Sequence, residues 1–463
     1  LALPILWGTT RIPGNVIWYG DFKSVAHTSG GGGGGGGGKG GGGGGSGGGG
    51  GTTTYEYFAA MCIGLCEGPI EGIGDVWQEK SKTTLGAIGL AAFLGGYDQA
   101  PWGYLETNHQ DQALSYPGIA YVAGSNYQLT DSATLPNHTF EVKGMRRFNP
   151  GAGIIDANPA DIVSDILTNT DFGVSWPGEL LGDLSLYSAW CVANGLFLSP
   201  SLTDQRSAQE TLTDLFTITG AAPVWSGGVL KIIPFRDEEV SGNGAAYAPD
   251  WSEPFYLEEE DFLVEEGSDA PPLSFGRGSP ADAKNSLTVE VLDRANEYNA
   301  SPVTWDDPAA IETYGLQPAD PIKAHAVTTP DVGSKVAAIV GQRTLGVRNS
   351  YAGTLGWKHC LLEPMDVGVI NAPRLGLREQ WVRITEKEED GQSGSGDGSG
   401  ENLRFTFEEI VLGSIHPIAR PAQGAIGWKG RFNIAPGDAA APIIFEPPVE
   451  LAGGDLEVWL ATY

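Results

Sequence analysis

The apolar positions follow a strand period at the start of the chain, a helical period in the middle and a strand period again afterwards. Residues 57–65 form an almost unbroken apolar run, long enough for a buried strand. Glu67-Gly68-Pro69 ends it, because Pro69 offers no amide hydrogen and Gly68 tolerates dihedrals that other residues avoid. Ile70, Ile73, Val76 and Trp77 follow, so residues 61–77 predict strand, sharp turn, strand. Residues 12–20 predict a turn into an earlier strand. Residues 30–51 are all glycine except Lys39 and Ser46. Such a tract buries no side chain and loses much backbone entropy on ordering. Its place between two strand signals makes it the tip of a long hairpin. Residues 139–144 alternate as a half-buried strand.

The helical period begins at Asn158-Pro159-Ala160-Asp161, with Asn as cap, Pro in the first helical position and Asp in the first turn. Ile162, Val163, Ile166 and Leu167 supply its apolar face. A second helix is expected over 183–194, stopped by Gly195. A third opens on the capping box Ser207-Ala208-Gln209-Glu210 and stops at Gly220. Residues 223–233 then predict a hairpin turning at Ser226-Gly227-Gly228. Further on, the pattern gives strands at 286–292, 381–386 and 403–407, a turn at 361–367 leading into another strand, and a helix over 332–346. Residues 391–400, rich in Gly and Ser, predict an exposed hairpin tip. These elements predict an α+β chain, mostly β. Its expected parts are a β-rich domain over 1–150 with the glycine insertion at 30–51, a helical unit with a closing hairpin over 151–235, a second β-rich domain over 236–415, and a linker into a further domain over 416–463. A first residue other than Met and a strand-like last stretch suggest that both ends are cut from a longer protein.

Charge narrows the function. The 463 residues carry 57 acidic against 27 basic side chains, a net charge of -30. That balance repels nucleic-acid phosphate and argues against gripping DNA, though not against letting DNA slide past. No apolar run reaches the roughly 20 residues of a membrane helix. Candidate chemistry is thin. Cys62 and Cys66 would share one face of a strand, and with Cys191 and Cys360 they lack metal or disulfide spacing, so both are expected in the core. The histidines, at 27, 109, 138, 325, 359 and 416, form no i, i+2 or i, i+4 pair for a metal. His109 sits in polar loop material. The acidic cluster of Glu258, Glu259, Glu260, Asp261, Glu265 and Glu266 lacks the alternating pattern of a calcium loop and reads as a solvated face. No phosphate loop and no nucleophile elbow is present. Catalytic, cofactor-binding and metal-binding residues are therefore not expected.

Several motifs stand in a recognisable order. They are residues 14–18, residues 57–59 leading into 65–70, Val76-Trp77, residues 158–162 with Leu167-Thr168-Asn169, residues 224–230 with 232–234, Asp293-Arg294-Ala295-Asn296-Glu297-Tyr298-Asn299, residues 362–367, residues 375–377 and residues 382–384. In this order, across about 12–450, the chain resembles the central tail hub, or tail-tip host-specificity, proteins of tailed bacteriophages and gene transfer agents. The resemblance implies two tail-tube-like β-barrel domains flanking the helical unit. It implies a trimer that caps the tail tube and lines part of the DNA-ejection channel. The implied partners are the distal tail protein, the tape-measure protein and other tip and fibre proteins, within a virion assembled in the host cytoplasm. Receptor contact would lie outside these residues. The glycine tract is longer than the connection expected there. Two rival classes are a tail-associated enzyme that degrades cell wall or capsule, and a carbohydrate-binding adhesin.

Overall fold

The computed structural model describes residues 3–29, 52–144, 154–249, 251–264, 271–279, 283–389, 402–410, 443–445 and 459–461. The glycine tract, the expected tip at 391–400, and His416, Glu265 and Glu266 lie outside the described residues. The chain divides into two units, residues 1–417 and 418–463. In the second, Ile443–Phe445 and Trp459–Ala461 pair antiparallel.

The first unit opens with two four-stranded sheets. One has the order Asn15–Ser29, Thr52–Glu67, Ile119–Gln128, Ala91–Leu94. The other has the order Thr9–Pro13, His138–Lys143, Gly72–Gln78, Ser81–Thr83. Met61, Ile63 and Leu65 from the first meet Ile12, Val76, Phe140 and Val142 from the second in a shared core. A short helix, α1 (Gly103–Asn108), covers the other face of the first sheet, with Trp102 and Leu105 over Ala60, Cys62, Tyr121 and Ala123. Residues 59–66 of this strand are thus buried on both faces, which explains the unbroken apolar run there. The turn at Glu67-Gly68-Pro69, whose Gly68–Pro69 bond is cis, does not return the chain along the same sheet. It hands the chain to the other sheet, where Gly72–Gln78 pairs with His138–Lys143. Only glycine fits at 68, since a Cβ there would meet Gly95 Cα at 2.9 Å.

The helical unit follows its local signals closely. Helix α2 (Pro159–Thr168) is capped by Asn158, whose side chain accepts from the Ala160 amide at 3.1 Å. Helix α3 (Ser185–Asn194) stops at Gly195 with φ 65°. Helix α4 (Ala208–Thr219) has the complete capping box of Ser207 and Glu210 and stops at Gly220 with φ 64°. The hairpin Ala221–Ser226/Val229–Pro234 turns on Gly227 and Gly228, both with positive φ, as a two-residue hairpin turn requires. Ile5–Leu6 pairs with Ser201–Leu202, and Trp7 enters the helical core, where its indole N–H donates to Asp165 at 2.8 Å.

Residues 236–415 divide between two cores. Ser286–Asp293 and Asn299–Asp306, with a short helix α5 (Pro308–Tyr314) between them and the 17-residue α6 (Pro330–Gly346), send Leu287, Val289, Val291, Val336 and Ile339 into the helical core. Six other strands build a sheet of order Phe255–Glu258, Val367–Ala372, Leu377–Glu389, Asn402–Glu409, Asn349–Gly356, Leu273–Arg277. It has its own core around Tyr351, Ile384, Phe405 and Phe407. The fold is mostly β with helices, as expected. The implied barrels differ in form: among the described residues every sheet ends on edge strands and none closes on itself.

One charge sits badly in this fold. Burial, with the Asp165 carboxylate next, pushes the Asp161 carboxyl up to about 6. Its ionisation therefore costs stability as pH rises from about 4 to about 6, and the whole cost is present above that. Asp161→Asn is expected to stabilise the chain at pH 7.5 by about 1 kcal/mol, once the cost of ionising this carboxyl is discounted for partial solvent exposure and for its place in a first helical turn. The gain should vanish near pH 4. Urea melts of both proteins at the two pH values check it; a gain independent of pH would assign the effect to something other than this ionisation.

Candidate assembly site

Two constructions stand out. The first is a buckle formed by Asp293–Asn299. The Asp293 carboxylate accepts from the Ala295 amide at 2.9 Å, and the Tyr298 amide donates to Asp293 O at 2.7 Å, closing a tight loop. Glu297 and Tyr298 are both left-handed, with φ 55° and 60°. The loop turns three side chains toward distant parts of the unit. Arg294 pairs with Asp156, donates to Thr9 O at 2.9 Å and donates through Nε to the Tyr298 hydroxyl at 3.0 Å. Tyr298 in turn donates to Glu141 at 2.7 Å. Burial, with that bond next, holds the Tyr298 hydroxyl well above the ordinary phenol range, so it stays a donor. Asp156 also accepts from Ser199 and Thr328, and Ser199 accepts the Thr9 amide at 2.9 Å. Glu297 accepts from the Trp77 indole at 3.3 Å, and Arg11 lies 4.2 Å over the Trp77 ring. The first sheets, the helical unit and the Ser286–Asp306 ribbon thus meet on one network.

The second construction is an arm. Asn15–Ser29 pairs with Thr52–Glu67 out to Ser29↔Thr52, but the third strand stops at Phe58↔Gln128. Beyond Phe58 the ribbon has only two strands. Its root is clamped by α1 and the loop after it. The His109 ring and the Tyr104 hydroxyl each lie 2.7 Å from the Asp21 carboxylate, and the Trp18 indole donates to Gln112 at 2.7 Å. The Tyr104 bond, with His109 next, lowers the Asp21 pKa. On one side of the arm Phe22, Tyr57 and Tyr55 stack in a ladder, with centroids 5.8 and 6.4 Å apart. Tyr19, Phe22 and Tyr55 are 78%, 59% and 50% exposed.

The other residues considered for chemistry are scattered. Cys62, Cys66 and Cys191 are buried free thiols. A bulge between Gly64 and Cys66 places Cys62 in the α1-side core and Cys66 in the core between the sheets, so they do not share a face. Burial pushes both thiols up to about 12, the reverse of a metal-ready thiolate. His138 lies 2.6 Å from the Tyr127 hydroxyl, His27 lies 3.0 Å from Glu56 and His325 lies 2.7 Å from Glu290. Asp261 of the acidic cluster pairs with Lys358, and Glu259 with Arg374 at 3.5 Å. Among the described residues no group of three or more potential ligands is arranged for a metal, and no helix is long and apolar enough to cross a membrane.

Residues 207–386 match the family model described as "Putative phage tail protein", a span that includes the buckle. By that match, residues 207–386 are of phage tail type. Its fold resembles that of a chain in the "Virion of native gene transfer agent (GTA) particle", with TM-score 0.59, 17% identity and coverage of 90% of this chain and 86% of that one. The tail-type chain also aligns with the 43 kDa tail protein of prophage MuSo2 from Shewanella oneidensis, at 14% identity, TM-score 0.30 and coverage of 78% and 92%. Prophage tail protein gp18 from Listeria monocytogenes EGD-e aligns at 13% identity, TM-score 0.29 and coverage of 76% and 84%. No curated protein matches the tail-type chain.

Proposed function

We propose that this chain is a structural central hub of a tail tip. Three copies would cap the tail tube, line part of the DNA-ejection channel and link the tube to the receptor-binding fibre. The observation that carries the reading is the likeness in fold, over 90% of the chain, to a chain of a gene transfer agent virion. The distal tail protein and the tape-measure protein are its proposed neighbours.

The open sheets support this reading physically. The first sheet ends on Asn15–Ser29 at one edge and Ala91–Leu94 at the other. Unpaired edges are liabilities in a lone chain and pairing sites in an assembly. Edge-to-edge contact between unlike edges is head-to-tail, and it closes into a ring when the rotation between copies fits. Charge favours the arm as the meeting surface. Residues 15–29 and 52–58 hold only Asp21 and Glu56 against Lys23 in a chain of net charge -30, so like-charged copies repel least there. The excess acid elsewhere keeps a DNA path non-adhesive.

Quantitative mass spectrometry of purified tails, with labelled peptides of this chain and of a tube subunit, tests the proposal. Three copies per tail are expected. A copy number matching the repeated tube subunits would contradict it.

A further inference from the structure

The sequence contains two Asn-Gly pairs, Asn194-Gly195 and Asn243-Gly244, and the fold treats them oppositely. Asn194 closes α3. It is 8% exposed, its side-chain amide donates to Trp190 O at 2.9 Å, and the Gly195 amide donates to Val192 O at 2.9 Å. Asn243 and Gly244 instead form the tip of a hairpin, in which Val240–Gly242 pairs with Ala245–Tyr247. Their φ values of 50° and 82° are those of the tight turn that Asn-Gly favours. Both residues are exposed, and a Cβ at Gly244 would meet nothing within 4 Å.

The base of this hairpin is anchored and its tip is open. Tyr247 enters the helical core, and a Cβ on Gly242 would lie 2.3 Å from Ala193 O. At the tip, Asn243 Nδ2 donates to Val192 O at 2.9 Å. The strands are three residues each and form a sheet of their own, so the tip opens at low cost. A cation stands beside it. Lys335 of α6 is exposed and donates from Nζ to Asn194 O at 2.6 Å. A Cβ at Gly195 would lie 3.1 Å from Asn243 Nδ2 and 3.3 Å from Lys335 Nζ, so both nitrogens crowd one spot at the end of α3.

We infer that Asn243 is a site of spontaneous covalent modification, an asparagine that converts to aspartate and isoaspartate with Lys335 as the cation that favours the change. Hydroxide takes the proton of the Gly244 amide, and that nitrogen attacks Cγ of Asn243. Water protonates the side-chain nitrogen, which leaves as ammonia, and a second water opens the succinimide at either carbonyl. Glycine suits the step because it has no side chain to shield its amide. The Lys335 charge lowers the cost of the negative charge that builds around Cγ. The product carboxylate has no proton for Val192 O and faces the negative end of α3, and Lys335 is the cation placed to receive it. At Asn194 the helix holds both reacting groups in hydrogen bonds of their own. The inference does not depend on the tail reading.

The test ages the full chain in mildly alkaline buffer, folded and unfolded in guanidinium. Mass spectrometry follows both Asn-Gly peptides, with isoaspartate scored by its separate elution. Dividing each folded rate by the unfolded rate of the same site cancels the effect of neighbouring residues. On that scale Asn243 should exceed Asn194 by about tenfold or more, and a smaller ratio overturns the inference. Lys335→Gln, at an exposed position, should slow Asn243 about threefold in the folded chain only, while Lys335→Arg keeps a cation and should keep the rate. Circular dichroism confirms that both variants fold. A folded rate unchanged by Lys335→Gln removes the lysine from the site and overturns the assignment as stated.

Discussion

Replacing Tyr19 and Tyr55 together with glutamate is expected to leave the chain folded and to cut its incorporation into tails roughly a thousandfold. Both rings are at least half exposed, so substitution should change stability by no more than about 0.5 kcal/mol each. Their worth lies in assembly. Buried aromatic anchors at an interface each contribute about 2 kcal/mol, and two of them amount to about three powers of ten in affinity. New acid on the arm also adds repulsion between copies that are already strongly negative. The expected pattern is a normal circular dichroism spectrum and melting curve with the chain left outside the particle. Undiminished incorporation would remove the arm from the assembly contact, and a fall in melting temperature matching the lost incorporation would reduce the effect to misfolding.

Arg294→Ala should be the most destabilising single change in the buckle, at about 3 kcal/mol. The pair is mostly covered: the Arg294 and Asp156 side chains are 19% and 13% exposed. Removing one partner of such a pair leaves the other charge stranded, which costs more than the intact pair contributes. Asp156 would keep only the hydroxyls of Ser199 and Thr328, while Thr9 O and Tyr298 would each lose a donor. Arg294→Lys keeps the charge but not the forked geometry, so it should lie between Ala and the native chain. Urea unfolding reads this as a drop in the midpoint. If Ala and Lys are equal to the native chain, the three-way network adds no stability.

What could be read from sequence and what could not divides by distance along the chain. Caps and stops are local, so Asn158, the Ser207–Glu210 box, Gly195, Gly220 and the Gly227-Gly228 turn mark elements that the structure contains. Helix α5 has an equally local signal: Asp307 caps it by accepting from the Ala310 amide at 2.9 Å, and Pro308 opens it. Helix α1 has no side-chain cap, so its sequence offers little to find. Strand alternation alone puts Cys62 and Cys66 on one face, and a bulge that no residue type announces separates them. The strands around 286–306 alternate equally well whether they face the six-stranded sheet or the helical core. Only their packing into one core with Val336 and Ile339 of α6 chooses the latter. The buckle shows in the sequence as a motif at 293–299, but its network does not. Its partners Thr9, Glu141 and Asp156 lie 285, 157 and 138 positions away, and no spacing rule reaches that far. Trp7 and Asp165, 158 positions apart, are the same case.

The most direct measurement is an electron-microscopy reconstruction of the distal end of the tail from particles that contain this chain. The expected map shows three copies around the bore at the end of the tube, with the Asn15–Ser29 edge of one copy against the next. Density for the chain along the tube shaft, or at the tip as a single copy without threefold arrangement, would contradict the hub.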